Sequence, residues 1–174
     1  MLGTQVTRTY IELVDNVNDS GPTRARIFLD VDDTLVDWRF RLRPLARELI
    51  AELQASDFEV HIWSGMGKRW AIIDEHNLRP YIAGCHHKPL YAHRERLHEM
   101  GIDFVPDYVV DDYDEIVRVF GGWCIPSPKD PITDDRRLLD VLYNIQDRFG
   151  LARGFTQTGF LLEDASPTGE GYGI

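Results

Sequence analysis

The 174-residue sequence predicts a single α/β domain with a doubly wound, mainly parallel five-stranded sheet in a three-layer α/β/α arrangement. Three observations predict it. Short apolar runs lack the alternation of a half-exposed strand, which suits strands covered on both faces. Segments with helical apolar spacing separate those runs, so each strand returns through a helix. The residues that follow the runs are acidic or hydroxylic, and the carboxyl edge of such a sheet is where ligands bind.

Residues 1–25 are polar and irregular and form an N-terminal extension, with 10–14 as a short strand or helical turn and Ser20-Gly21-Pro22 as a break. The core domain covers residues 26–149. Its first strand is the apolar run 26–29, ending in Asp30. Pro44 then stands at the first position of a helix that carries Leu45, Leu49, Ile50 and Leu53 and ends near Ser56. Residues 58–63 form the second strand, 68–77 a helix bearing Trp70, Ile72 and Ile73, and 81–85 a weaker third strand. Residues 89–100 read as a helix stopped at Gly101. The fourth strand, 108–110, runs straight into Asp111-Asp112. A short helix over 113–120 closes at Gly121-Gly122, and 123–125 form a fifth strand before Pro126-Ser127-Pro128. Leu138, Leu139, Leu142, Ile145 and Phe149 share one side of a helix over 134–149. From 150 to 174 the chain is Gly-rich and reads as an extended tail. The whole is a Rossmann-like succession of strands and helices.

Composition bounds the function. Hydrophobic residues make up 43% and charged residues 28%, ordinary values for a globular protein. The formal charge of −10 argues against non-specific binding to nucleic acid or an anionic membrane, so an anionic substrate needs a local exception. Cys85 and Cys124 are too few for a disulfide framework, and no apolar span or signal peptide is evident. A reduced, cytoplasmic protein without a membrane partner is expected.

The strand ends carry the chemistry. Asp30, Asp32 and Thr34 follow the first strand, Ser64-Gly65 the second, Lys88 the third, and Asp111-Asp112 the fourth. One sheet edge thus receives carboxylates, a hydroxyl beside backbone amides, and an ammonium, a set suited to metal-assisted phosphoryl chemistry. Asp30 on a rigid strand end is the candidate nucleophile, dividing hydrolysis into two displacements through an acyl phosphate. Two residues on, Asp32 can protonate the leaving oxygen and then activate water. Crowding among Asp30, Asp111 and Asp112 favours the neutral form of one carboxyl. Close carboxylates with a phosphate substrate call for a hard cation, Mg²⁺ rather than zinc or copper. Ser64 and nearby amides can hydrogen-bond phosphoryl oxygens, and Lys88 can balance charge and hold Asp30 in line.

The run Ile27-Phe28-Leu29-Asp30-Val31-Asp32-Asp33-Thr34-Leu35, the segment Val60-His61-Ile62-Trp63-Ser64, Lys88, and Val109-Val110-Asp111-Asp112 together resemble the four motifs of the haloacid dehalogenase-like hydrolases, in that family's order. The resemblance covers residues 26–125. It implies metal ligation by the Asp30 carboxylate, the Asp32 backbone carbonyl and Asp112, with Asp111 a ligand or just behind one. An acid/base Asp at position 32 implies phosphate esters rather than carbon–halogen or phosphonate bonds. The expectation is a Mg²⁺-dependent phosphatase; a phosphotransferase with an alcohol acceptor, and a non-catalytic metal- or phosphate-binding module, are the alternatives.

Taken alone, residues 30–33 would serve equally as a turn or helix cap. A calcium loop fails, because Leu35 stands at its glycine position and Arg41 at its glutamate position. A receiver domain places its acidic pair before the phosphoacceptor strand, whereas here the pair comes last. Ser64 alone would more often be a helix cap and Lys88 alone a solvated residue, but of the three lysines Lys68 is too close behind Ser64 and Lys129 lies beyond the last motif. Cys85-His86-His87, with His93 and His98, raises zinc, yet a lone cysteine in that stretch reads as a strand end.

Only 29 residues separate Thr34 from Ser64 and 23 separate Ser64 from Lys88, so no cap domain fits between them. By analogy with open relatives, the substrate is a phosphorylated molecule that can be bulky or macromolecular, and a homo-oligomer could supply a lid. Residues 38–43 alternate Arg with apolar side chains, consistent with a small β flap. Arg39, Arg41 and Arg43 on one side would contact substrate together with Thr34, Ser64 and Gly65, or else form a solvated face of ion pairs. Lys68-Arg69 is a second basic candidate, and Trp38 or Phe40 could stack on a ring. The acidic pair followed by an aromatic strand, a Pro/Asp-rich loop and a Leu-rich helix is also loosely similar to the carboxyl-terminal-domain type of protein phosphatase.

Overall fold

In the computed structural model, which describes residues 24–130 and 132–156, the apolar runs become five strands: β1 (Arg26–Asp30), β2 (Glu59–Ser64), β3 (Gly84–His87), β4 (Tyr108–Asp111) and β5 (Gly122–Cys124). All pair in parallel in the order β3-β2-β1-β4-β5. The chain moves outward from β1 to β3, then returns to the other side of β1 for β4. That reversal makes the β1/β4 junction the switch point, where a crevice opens beyond the carboxyl ends.

Among the described residues four helices cover the sheet: α1 (Ala46–Ala55), α2 (Trp70–Glu75), α3 (Asp114–Phe120) and α4 (Arg137–Arg148). Successive strand residues point to opposite faces, so Ile27 and Leu29 enter one core with Leu49, Ile50, Ile72, Ile73, Leu142 and Ile145, from α1, α2 and α4. Phe28, Trp63 and Val109 enter the other with Ile116 of α3 and with Leu97 and Ile102. Reversal of the crossover direction at β1 puts the helices on opposite faces, which gives the three layers. Between β1 and β2 the chain holds only turns with two isolated bridges and α1; between β2 and β3 it holds only turns, α2 and a single 3₁₀ turn. Among the described residues no helix is long and apolar enough to cross a membrane.

Several boundaries differ from the sequence reading. Pro44 does not open α1: Leu45 adopts φ 68°, and the turn around it is closed by the Ala46 amide donating to the Arg43 carbonyl at 3.1 Å. Tyr81 belongs to a 3₁₀ turn with Pro80, so β3 starts later and includes His86 and His87, which pairing with Trp63 and Ser64 draws into the sheet. Residues 89–100 are turns, with 3₁₀ geometry only at His98–Met100. Ala92, at φ 45°, interrupts the helical backbone, and Leu97 must reach the second core. α4 starts at Arg137, after a 3₁₀ turn at Ile132–Asp134, where Asp135 accepts the Arg137 amide at 3.0 Å. The start of the tail docks on the core: Gly154 and Gln146 exchange two hydrogen bonds, and the Thr156 amide donates to the Glu52 carboxylate at 2.8 Å. Residues 10–14 lie outside the described residues.

On the second face His61 Nδ1 lies 3.1 Å from His86 Nε2, and both rings stack on Phe28. Cys85 points into the first core. The strand thus sends this cysteine and His86 to opposite sides, and among the described residues these cysteine and histidine side chains do not gather into a metal-binding group.

Two predictions follow from this packing. Gly122 sits at φ 146°, and an added Cβ would run into the Val109 backbone, so Gly122→Ala should cost about 3 kcal/mol in urea denaturation through lost β4–β5 pairing. Burial and the neighbouring His61 lower His86 from 6.5 to about 4. Between those values the unfolded chain binds a proton that the folded chain refuses, so stability falls as pH drops through that window. His86→Gln should flatten the fall, read as urea midpoints from pH 7 to pH 4.5.

Candidate active site

Three strand ends meet on one ammonium. Lys88, just beyond β3, donates from Nζ to Asp30 Oδ1 at 2.7 Å and to Asp111 Oδ2 at 2.8 Å. All three side chains are buried. The Lys88 backbone amide is itself held by the Ser64 carbonyl at 2.9 Å, which zips the β2 and β3 ends and sets the direction of the lysine. Asp111 Oδ1 accepts the Tyr113 amide at 3.0 Å.

Asp112 completes the cluster: one carboxylate oxygen each from Asp30, Asp111 and Asp112 lie within 4.8 Å of one another. Burial, then Asp111, push the Asp30 carboxyl well above its usual range against the opposing pull of Lys88. Burial also raises Asp111, and burial with the Asp111 charge raises Asp112. Burial works to lower Lys88, but Asp30 and Asp111 outweigh it and hold the ammonium charged. Three carboxylates facing one ammonium are short of positive charge. An all-oxygen donor set at this spacing fits a hard divalent cation.

Asp32 stands apart from this cluster. Its Oδ2 accepts the Ser64 hydroxyl at 2.6 Å, its Oδ1 pairs with the Arg69 guanidinium, and Ser64 Oγ in turn accepts the Met66 amide at 2.9 Å. A cleft of about 460 Å³ opens over the edge, lined by Asp30, Asp32, Ser64, Gly65, Lys88 and Asp112 among others. Asp111 lies behind it, fully buried.

The remaining candidates fall elsewhere. Thr34 is fully buried and outside the cleft lining; its carbonyl accepts Arg43 at 3.1 Å. Arg43 is also buried and spans the Pro126 carbonyl at 2.9 Å and the Asp135 carboxylate at 2.8 Å, so it braces the interior rather than a substrate face. Arg41 is taken by Asp37 and Asp130, and Arg39 stacks on Trp38. Residues 38–43 do not extend as a flap: only a bridge between Val36 and Leu42 forms, around a turn in which Phe40 takes φ 59°. Buried Asp37 organises that turn by accepting the Arg39 amide at 2.9 Å and the Arg41 amide at 2.8 Å. Burial alone would raise its carboxyl, but Arg41 and these amides hold it below the usual range.

The sequence reading ranked Arg69 behind the three arginines, although it is the one that reaches Asp32. Its place at the start of α2, after the Ser64 strand end, was the available signal. Tyr113 and Glu115 also line the cleft and carried no motif signal, and His93, which the sequence raised only for zinc, lines it as well. The chain matches no family model, no curated protein and no solved structure.

Removing the ammonium tests this balance. Lys88→Met leaves Asp30 and Asp111 buried without a counter-charge and should cost about 3–5 kcal/mol at pH 7 in EDTA. The folded variant then holds protons that the unfolded carboxyls release near 3.8, so stability falls as pH rises. The urea midpoint of the variant should therefore approach wild type at pH 5.

Proposed function

We propose that this site hydrolyses phosphate monoesters with Mg²⁺ through an aspartyl phosphate on Asp30, as a haloacid dehalogenase-like phosphatase without a cap. The observation that carries this reading is the lysine shared by two buried strand-end carboxylates at the switch point, beside a cleft that also holds Asp32, Ser64 and Asp112. The ordered motifs support it.

The Asp30 and Asp112 carboxylates, with Asp111 beside them and, by the resemblance, the Asp32 backbone carbonyl, would hold the cation. When bound, it would offset the carboxylate charge and polarise a phosphoryl oxygen. Lys88 holds Asp30 by Oδ1, which leaves Oδ2 for attack on phosphorus. The new O–P bond forms as the ester P–O bond breaks, and Asp32 delivers a proton to the departing alcohol oxygen. In the second step Asp32 takes a proton from water, the water oxygen bonds to phosphorus, and the bond to Asp30 breaks to release inorganic phosphate. Ser64 fixes Asp32 for both transfers.

The test is phosphate release with and without Mg²⁺ across aryl phosphates, sugar phosphates, nucleotides and phosphopeptides. Asp30→Asn should abolish release. Asp32→Asn should slow alkyl esters by about 10²-fold or more and aryl esters far less, because a good leaving group needs no acid. Absence of release from every ester, or Asp30→Asn equal to wild type, rejects the reading.

A further inference from the structure

We infer that the alcohol portion of the substrate is apolar, preferentially aromatic, and carries no second negative charge. This rests on the phosphatase reading above and concerns what surrounds the phosphoryl position.

The cleft wall has two contrasting components. Met66, Leu90 and Tyr113 line it while 76%, 68% and 65% exposed. They follow the ends of β2, β3 and β4, so they encircle the same edge that holds Asp30. Leu90 leans over Gly65, where an added Cβ would come within 2.9 Å of Leu90 Cδ2. Tyr113 stands over the buried ammonium, with Lys88 Nζ 5.7 Å from its ring centroid. Of the nine large apolar side chains exposed among the described residues, six (Trp38, Phe40, Met66, Leu90, Tyr91 and Tyr113) lie on loops after strand ends. Three of the nine, Met66, Leu90 and Tyr113, line the cleft itself, and apolar side chains exposed in a cleft are what a ligand covers.

Charge narrows the occupant. The lining carries five carboxylates (Asp30, Asp32, Asp33, Asp112 and Glu115), while Lys88 is its one lysine or arginine and is engaged by Asp30 and Asp111. The phosphoryl group would use the positive charge of the site. A second anionic group would face Asp33 and Glu115 with no lysine or arginine among the described lining residues to receive it. Neutral aryl and arylalkyl groups instead find Tyr113, Leu90 and Met66 at the mouth, where ring stacking and apolar burial both favour them.

The test compares three alkyl esters on the full chain with Mg²⁺: 3-phenylpropyl phosphate, glycerol 3-phosphate and 3-phosphoglycerate. None has an activated leaving group, so differences in kcat/KM report recognition rather than leaving-group chemistry. The phenylpropyl ester should exceed glycerol 3-phosphate by about tenfold or more, the discrimination one methylene gives in an apolar pocket. The anionic 3-phosphoglycerate should fall below both. Leu90→Ser and Tyr113→Ser, each at an exposed side chain, should bring the first ratio toward one. Equal values for the first two esters, or preference for 3-phosphoglycerate, overturn the inference. If no ester is hydrolysed, the phosphatase reading fails, and calorimetry with 3-phenylpropylphosphonate and methylphosphonate decides this one. Tighter binding of the aryl compound, lost in Leu90→Ser, upholds it; equal binding or none overturns it.

Discussion

The buried ammonium of Lys88, held between Asp30 and Asp111, is the contact on which the arrangement of the site depends. A charged group removed from water is tolerated only with close, well-directed partners. Here the partners come from β1 and β4, and the lysine arrives from beyond β3, two strands away from β1. The contact therefore requires correct register across four strands: Asp30 beside Trp63, Ser64 beside His87, and Val110 beside Leu29. A one-residue slip in any of them would turn a carboxylate or the ammonium away from its partners and leave buried charge unpaired.

The apolar layers make that register rigid. Ile27, Leu29, Ile62 and Val110 are fully buried, and each such side chain contributes about 1.5–3 kcal/mol. Around this frame, Arg43 and Asp37 organise the loop after β1. Arg43 ties the Thr34 carbonyl to Pro126 and to Asp135, so the site loop, the segment after β5 and the approach to α4 are joined through one buried guanidinium. Arg43 thus supports the site from behind, whereas Arg41 pairs with Asp37 and Asp130 and Arg39 stacks on Trp38. Arg69, placed by α2 and the end of β2, is the arginine that meets Asp32.

This division of cations gives the cleft its character. Lys88 is enclosed by carboxylates, Arg69 is held by Asp32, Arg41 and Arg43 are paired elsewhere, and acidic and apolar side chains line the cleft. The proposed apolar leaving group follows from the scarcity of positive charge among the described lining residues.

The five strands, their parallel pairing, and the standing of Asp30, Asp32, Ser64, Lys88, Asp111 and Asp112 at or just beyond strand ends were legible in the sequence, because strands buried on both faces must be continuous apolar runs. Element boundaries near Pro44, Tyr81 and residues 89–100 were not. There the local helical or strand preference yields to a turn fastened by Arg43, to pairing with β2, and to the need for Leu97 to reach the second core. The roles of the arginines were equally beyond the sequence. An Arg/apolar alternation fits a flap as well as it fits a buried brace, and only the positions of Asp37, Asp130 and Asp135 select between them. The sequence by itself determined which residues stand at the strand ends, since backbone periodicity is local. Tertiary structure decided which charges neutralise one another, since Coulombic partners are chosen by distance in space and by burial, neither of which is written in chain order.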